Sequence, residues 1–331
     1  MGAYIIAEAG VNHNGRLDLA RELCLAAKNA GADCVKFQTW QTEKIISRSV
    51  AQADYQADNT GRTESQFDML KRLELSYDDF RAVKAYCDEI GIQFASTADE
   101  ADSLDFLLTL GIPFIKIGSG EIGNIPYLRY MGSKKKPVLL STGMSSLADV
   151  ELSLEALRQG GAEDITLLHC TTSYPCPYDR VNLRAMDTLR AVFGLPVGYS
   201  DHTEGIAIPT AAAARGAVVI EKHFTLDRHM EGPDHLASTE PEAFRQMVSA
   251  IRQVEAGLGS GCKAPSPEER AISEVVLKRI VAARPIPIGK LLTADDLTVK
   301  RNDRGLSARY WALVIGTPAR RDYAADDAIE L

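Results

Sequence analysis

Two lysines, two histidines and a series of hydroxyl residues follow short apolar runs along this 331-residue chain. The polar residues at the run ends are Glu8, Lys36, Ser96, Thr97, Lys116, Ser119, Ser141, His169, Ser200, His202 and the segment from Glu221 to His223. A charged side chain at the end of a buried strand costs desolvation unless it is paired or solvated in a site. A polar group closing every run therefore points to one assembled site rather than to separate helix caps. Lys36 and Lys116 supply cations. Ser119, Ser141 and Ser200 supply hydroxyls, and Gly118, Gly120 and Gly143 let backbone approach closely. An anion such as a phosphate is held by this combination. Neither a G-x-x-x-x-G-K-[ST] loop nor a G-x-G-x-x-G at a first strand is present, so a nucleotide is not suggested.

His202 and His223 close the last two runs. Neighbouring strands lie about 5 Å apart, so two imidazoles placed there reach one ion. A lone histidine at a strand end usually serves as a hydrogen-bonded core residue. A pair on adjacent strands, with Asp201, Glu221 and Asp234 close in sequence, points instead to a metal. Two imidazoles without thiolates leave coordination positions open. That fits a catalytic Mn²⁺, with Mg²⁺ or Co²⁺ as alternatives, better than a closed structural zinc. His13, His229 and His235 have no clear pairing and read as loop or supporting groups.

The elements that must position these groups alternate. Strand-like runs are expected at Tyr4–Ala9, Cys34–Phe37, Gln93–Ser96, Phe114–Ile117, Pro137–Ser141, Ile165–His169, Pro196–Tyr199 and Val218–His223. Helical spacing separates most of them, at Leu17–Ala30, Tyr77–Ile90, Ala101–Leu110, Leu147–Arg158, Asn182–Val192 and Ile206–Arg215, and Pro241–Leu258 ends the series. This order predicts a parallel α/β architecture. Its count and length favour a closed (β/α)₈ barrel over residues 1–260, although periodicity alone leaves an open sheet standing. In such a barrel the catalytic groups sit at the C-terminal ends of the strands, where the polar residues fall.

Gln38–Ser76 is too long for an ordinary βα connection, and its polar centre, Gln52–Gln66, reads as a lid-forming loop. Residues 261–277 read as a linker. Residues 278–331 read as a small β-rich domain, in which Thr293 and Asp296 have capping-box spacing.

Composition narrows the classes further. A net charge of −8 argues against a general nucleic-acid binder. No apolar run reaches the roughly 20 residues of a membrane span. No basic-then-apolar leader opens the chain. The six cysteines show no C-x-x-C spacing and read as reduced thiols of a cytoplasmic protein.

The segments IAEAGVNHNG (6–15), VKFQ (35–38), KIGSGE (116–121), STGM (141–144), HCTTSYP (169–175), GYSDHT (198–203), EKHFTLD (221–227) and GPDH (232–235) together resemble the sialic-acid synthase family. That family makes N-acetylneuraminate and legionaminate-type nonulosonic acids. The tail, with VKRNDRG at 299–305, resembles its antifreeze-like (SAF) domain. The resemblance implies a (β/α)₈ barrel, a domain-swapped homodimer and a divalent metal on His202 and His223. It implies condensation of phosphoenolpyruvate with an open-chain N-acyl-mannosamine-type sugar. By the same carry-over, Lys36, Thr97, Lys116, Ser119, Ser141, Thr172 and Ser200 hold phosphoenolpyruvate, while Glu8, Gln38, Tyr174 and Asp234 face the sugar. Arg301 of the partner subunit meets the sugar's acyl group. Three positions depart from the pattern: Thr172, where Asn is frequent, Ala98-Asp99, where Pro-Phe is common, and Asn302-Asp303 in place of Pro-Gly.

The chemistry needs a polarised aldehyde, a neutralised phosphate and carboxylate, and a residue such as Glu8 to orient hydroxyls or move a proton. The main rival is a metal-independent Schiff-base aldolase with Lys36 or Lys116 as nucleophile. A non-catalytic sugar- or ice-binding protein is suggested by the tail alone.

Overall fold

All eight expected runs become parallel strands, and they close on themselves in sequence order, the eighth pairing back to the first. The computed structural model describes residues 2–48 and 65–331. It falls into two compact units, Met1–Gly259 and Ser260–Leu331. In the first unit the strands are β1 (Tyr4–Gly10), β2 (Cys34–Thr39), β3 (Gln93–Ala98), β4 (Ile115–Ile117), β5 (Val138–Ser141), β6 (Ile165–Cys170), β7 (Val197–Asp201) and β8 (Val219–His223). Its helices are α1 (Leu17–Asn29), α2 (Thr42–Ile45), α3 (Gln66–Leu73), α4 (Tyr77–Ile90), α5 (Ala101–Thr109), α6 (Ile125–Ser133), α7 (Leu147–Gly160), α8 (Ala185–Phe193), α9 (Ala207–Ala214) and α10 (Pro241–Leu258).

Helix ends follow their capping residues. Ser76 and Asp79 form a capping box at the start of α4, and Gly91 ends it with φ of 72°. Ser146 and Asp149 do the same for α7. Two differences from the sequence reading have local causes. Inside the 38–76 connection the described residues form α2 and α3, the latter capped by Ser65. Most of the stretch read as a lid, 52–64, lies outside the described residues. Between β4 and β5 stands α6, which periodicity does not reveal because Pro126 and Gly132 interrupt its apolar spacing. Its signal is the Asn124 cap, which accepts from the Tyr127 amide, followed by proline in the first turn.

Gly132 is there for packing. A Cβ at this position would stand 2.2 Å from the Leu157 carbonyl oxygen of α7, and one at Gly160 would stand 2.3 Å from the Arg129 carbonyl oxygen of α6. The two helices pack backbone to backbone. Gly132→Ala is therefore expected to cost about 1–3 kcal/mol, read as a fall in the urea midpoint at unchanged slope. Gly257→Ala, in α10 with no atom within 4 Å of the added carbon, is the control and should be neutral or mildly stabilising.

Strand alternation sets what the barrel encloses. One phase of side chains fills the interior with Ile6, Cys34, Ala95, Leu139, Leu168 and Val219. Two residues further along the same phase come Glu8, Lys36, Thr97, Ser141, Cys170 and Glu221. The apolar plug thus gives way to a polar layer at the C-terminal ends of the strands. The other phase packs against the helices in the larger core, which includes Val35, Phe37, Phe94, Leu140 and Ile220.

In the second unit β9 (Lys278–Ala282) pairs antiparallel with β10 (Leu297–Arg301), and a short helix α12 (Trp311–Val314) follows. Its core holds Ile280, Ile286, Leu292, Val314, Tyr323 and Ile329. Thr293 donates to Asp296 from both backbone and hydroxyl, and Arg284 and Lys290 also pair with that carboxylate. The stretch read as a linker contains a helix, α11 (Pro267–Val276). It is started by a box of Ser266 and Glu269 that the Gly-, Ser- and Pro-rich composition masks. No helix among the described residues is long and apolar enough to cross a membrane.

Candidate active site

A cavity of about 200 Å³ opens at the C-terminal mouth of the barrel. It is lined by Glu8, Lys36, Gln38, Thr97, Lys116 and Ser119 from one half of the ring, and by Ser141, Thr172, Tyr174, Ser200, His202, Glu221 and His223 from the other. At its floor two ammonium and two carboxylate groups interlock. Lys36 Nζ lies 2.5 Å from Glu8 Oε2 and 3.8 Å from Glu221 Oε2, and Lys116 Nζ lies 3.5 Å from Glu221 Oε1. All four side chains are at most 6 % exposed. Hydroxyls complete the set: Lys36 donates to Thr97 Oγ1 (3.0 Å), Lys116 to Ser141 Oγ (2.8 Å), and Ser200 Oγ to Glu221 Oε1 (2.9 Å).

The two carboxylates differ in character. Burial pushes Glu8 up to about 7, against the pull of Lys36. Burial acts on Glu221 in the same sense, yet Lys116 and Lys36 together hold it down at about 2. Burial opposes the charge on Lys36, and Glu221 and Glu8 outweigh it, so its pKa is raised. Glu221 is thus a permanent counter-ion, while Glu8 exchanges its proton near neutrality. When Glu8 is protonated the floor carries a surplus positive charge, which suits an anionic substrate.

The upper wall holds the imidazoles. The His202 and His223 rings lie 5.3 Å apart, with Tyr174 at 4.3 Å from the first and 5.7 Å from the second. His202 Nδ1 lies 2.7 Å from the Thr171 carbonyl oxygen. A carbonyl only accepts, so Nδ1 carries the proton and Nε2 keeps its lone pair. Burial drives both imidazoles toward the neutral form, His223 strongly, helped by His202. His223 Nδ1 is buried with no hydrogen-bond partner, and the Asp234 carboxylate stands 3.8 Å away. Two neutral rings, one with a free lone pair and one with an orphaned nitrogen, fit a metal. Among the described residues no group of three or more His, Cys, Asp and Glu stands ready to hold one. Water or substrate oxygens would have to complete the coordination.

A second polar convergence lies over Gly10. A Cβ built there would be 3.3 Å from Glu8 Oε1, 3.4 Å from Gln38 Nε2 and 3.7 Å from Asp234 Oδ2. Gln38 donates to Glu8 Oε1 at 3.2 Å. On the opposite wall Ser119 Oγ accepts from the Gly143 amide at 2.9 Å. A Cβ at Gly143 would meet Thr172 Oγ1 at 2.3 Å, so only glycine lets these hydroxyls close in.

Residues 23–263 match the NeuB family, and residues 279–330 match the SAF domain. The chain belongs to the NeuB family. It is 45% identical to an N,N'-diacetyllegionaminic acid synthase of Legionella pneumophila over 96% of this chain and 90% of that protein. It is 39% identical to the N-acetylneuraminate-9-phosphate synthase of Homo sapiens, over 90% of this chain and 82% of that one. Among solved structures, the N-acetylneuraminic acid synthetase of Leptospira borgpetersenii, in complex with citrate, superposes with a TM-score of 0.73 at 32% identity, covering 83% of this chain and 91% of that one.

In this NeuB-family chain the residues collected at strand ends separate by face. Glu8, Lys36, Thr97, Lys116, Ser141, Ser200, His202, Glu221 and His223 turn inward. Ser96 bonds outside the barrel to Thr39, and Asp201 takes an ion pair from Lys222 at 2.5 Å behind the histidines. His169 belongs with these outward residues. Its Nε2 lies 2.8 Å from the Val181 carbonyl, and it lines an adjoining cleft of about 750 Å³ near the starts of α7 and α8. Arg301 belongs to the second unit, where it ends β10 and is exposed. Asp99, Met144 and Cys170 also line the cavity, although sequence reasoning quotes them within motifs without assigning them to the site. Strand phase would have found Cys170. Asp99 and Met144 lie past the strand ends, where phase carries no information.

Proposed function

We propose that this chain condenses phosphoenolpyruvate with an open-chain N-acyl-mannosamine-type sugar and water, releasing phosphate and a nine-carbon nonulosonic acid. The observation that carries this is one small cavity holding both a lysine–hydroxyl anion floor and a neutral histidine pair. Lys36 and Lys116, with Thr97, Ser119, Ser141, Thr172 and Ser200, bind the phosphate and carboxylate of phosphoenolpyruvate. Glu8, Gln38, Tyr174 and Asp234 orient the sugar hydroxyls so that the aldehyde faces the enol carbon. His202 and His223 would hold a divalent ion, Mn²⁺ in this reading, which supplies Lewis-acid polarisation of the aldehyde when bound. Attack by the enol carbon leaves positive charge at C2, water adds there, and phosphate departs by C–O cleavage. Glu8, poised near neutrality, holds or releases the mobile proton. Relatives at 44–45% identity are named N,N'-diacetyllegionaminic acid synthases, which puts a 2,4-diacetamido-6-deoxy sugar ahead of N-acetylmannosamine.

The Schiff-base alternative requires an uncharged amine. Lys36 is instead held charged by Glu221 and Glu8, and Lys116 stands 3.5 Å from the Glu221 carboxylate, so borohydride with substrate should trap no adduct on either. The deciding assay is phosphate release with Mn²⁺, phosphoenolpyruvate and a panel of N-acyl sugars. No release with any of them would end the synthase reading.

Two further results are expected. If the reaction needs the Glu8 carboxylate, kcat/KM rises as pH passes through about 7, and Glu8→Gln flattens that limb at a much lower rate. We also propose that the active species is a domain-swapped homodimer in which Arg301 of the partner subunit meets the acyl group. Arg301→Ala should then raise the sugar KM more than it lowers kcat, because it removes a contact remote from the reacting carbon. An unchanged KM would remove Arg301 from the site. We place the protein in the reducing cytoplasm. Cys24 and Cys87 face each other there as buried thiols, Sγ to Sγ 3.4 Å.

A further inference from the structure

The VNHNG and GPDH segments meet in space, although 221 positions separate Asn14 from His235. Residues 11–15 make a tight series of turns, with Asn12, Asn14 and Arg16 amides donating back to Ala9, Val11 and His13. The segment after β8 runs over them. Asn12 Nδ2 donates to the Phe224 carbonyl and to Ser238 Oγ, both at 2.9 Å. Ser238 Oγ in turn donates to the Asp234 carbonyl at 2.6 Å. Asn14 Nδ2 donates to the Glu231 carbonyl at 2.8 Å, and its Oδ1 lies 3.3 Å from His235 Nε2. The other His235 nitrogen, Nδ1, lies 2.6 Å from Thr225 Oγ1. His235 is only 1 % exposed. A Cβ at Gly232 would stand 2.6 Å from the His235 ring and 2.8 Å from Asn14 Oδ1, so the two loops close on each other without room to spare. His13, fully buried, lies tilted against Phe37 with ring centroids 5.9 Å apart and accepts the Gly15 amide, bracing the turn.

Asp234 stands inside this assembly, its carbonyl bonded to Ser238 and its neighbour His235 enclosed. The carboxylate reaches the space over Gly10 that Glu8 and Gln38 also reach, and it faces His223. An aspartate on an unsupported loop could not keep that position. We infer that residues 11–15 and 225–239 act as one lock that fixes the Asp234 carboxylate opposite Glu8 and Gln38. His235 and Asn14 are then positioning residues for the sugar half of the site. The inference rests on the synthase reading, since it assigns the sugar to that half.

The test uses the full chain with Mn²⁺, phosphoenolpyruvate and the sugar that the panel selects. His235→Ala should raise the sugar KM by about tenfold or more while the phosphoenolpyruvate KM stays within about twofold, and His235→Gln, which keeps a side-chain donor and acceptor, should recover most of the loss. Amide hydrogen exchange over residues 231–238 should quicken in His235→Ala and in Ser238→Ala, with the barrel strands unchanged. Equal increases in both KM values, or an unchanged sugar KM beside faster exchange, would reduce the lock to general support and overturn the assignment. Unchanged exchange would show that no lock exists. Failure of the unmodified protein to release phosphate with every sugar would strike the synthase reading instead, and the exchange measurement would still decide on the lock.

Discussion

Replacing His223 by alanine is expected to abolish phosphate release while leaving the fold close to normal. The ring is 9 % exposed at the mouth of the barrel, it makes no hydrogen bond through Nδ1, and burial keeps it uncharged. Removing it therefore breaks no ion pair and relieves one unsatisfied nitrogen. The stability change should be small, about 1–2 kcal/mol, because part of the space left behind is continuous with the cavity. The effect on turnover is of a different order. If the ring holds the proposed metal, its loss removes polarisation worth several kcal/mol, on the order of 10³-fold or more in kcat. Two measurements separate the possibilities: Mn²⁺ affinity of the purified variant by calorimetry, and its thermal midpoint. Retained metal-dependent turnover would take His223 out of the ligand set.

Lys36→Met should do the reverse, damaging fold and activity together. Lys36 is the close cation for Glu8 and a more distant one for Glu221, and among the described residues Lys116 forms an ion pair with Glu221 alone. Glu8 would be left buried without its counter-charge, at a cost of about 3–5 kcal/mol if it stayed ionised. It escapes part of that cost by keeping its proton, which gives the variant a pH signature. A buried acid whose folded pKa is raised binds more protons folded than unfolded, so stability falls as pH rises from the unfolded value toward the folded one. For the parent protein this decline ends near pH 7, where Glu8 ionises in the fold. The variant, with a still higher folded pKa, should go on losing about 1.4 kcal/mol per pH unit above 7. Urea unfolding at several pH values reads this directly, and Lys36→Met/Glu8→Gln should recover most of the loss. A pH-independent deficit would mean that the ion pair is not the reason. Turnover should drop on the order of 10²–10³-fold in both variants, since the anion floor loses a cation.

Most of the barrel was legible because buried parallel strands are short apolar runs and their helices carry clear caps, as with Ser76 and Gly91. The nine-residue α6 was not, since a proline in its first turn and a glycine kept for packing spoil the spacing that marks a helix. Within the site, Lys36, Lys116, His202 and His223 could be picked out by type and place. Their pairing could not, because it depends on which strands lie side by side: Glu8 stands level with Lys36 on one flank and with His223 on the other. His169 shows the limit from the other direction. It stands one residue short of the end of β6, whereas His223 closes β8, and that one step of alternation turns it out of the barrel. Asp234 and His235 lie in a loop, where neither period nor cap gives a signal, and only the fold brings them over the first turn of the chain.

The pairing of β1 with β8 also bears on how the protein is made. Tyr4 lines up with Val219, and Glu8 with His223. At roughly 5–20 residues per second on the ribosome, the first strand waits on the order of 10–40 s for its second neighbour to be synthesised. If Tyr4–Gly10 forms its strand during that wait, one edge stays unpaired, the kind of surface that seeds association between nascent chains. The catalytic half-sites are likewise separated in time, so a prematurely released fragment carries Lys36 and Lys116 without the histidines. Translation beyond residue 223 is then what both seals the barrel and brings the chemistry into being.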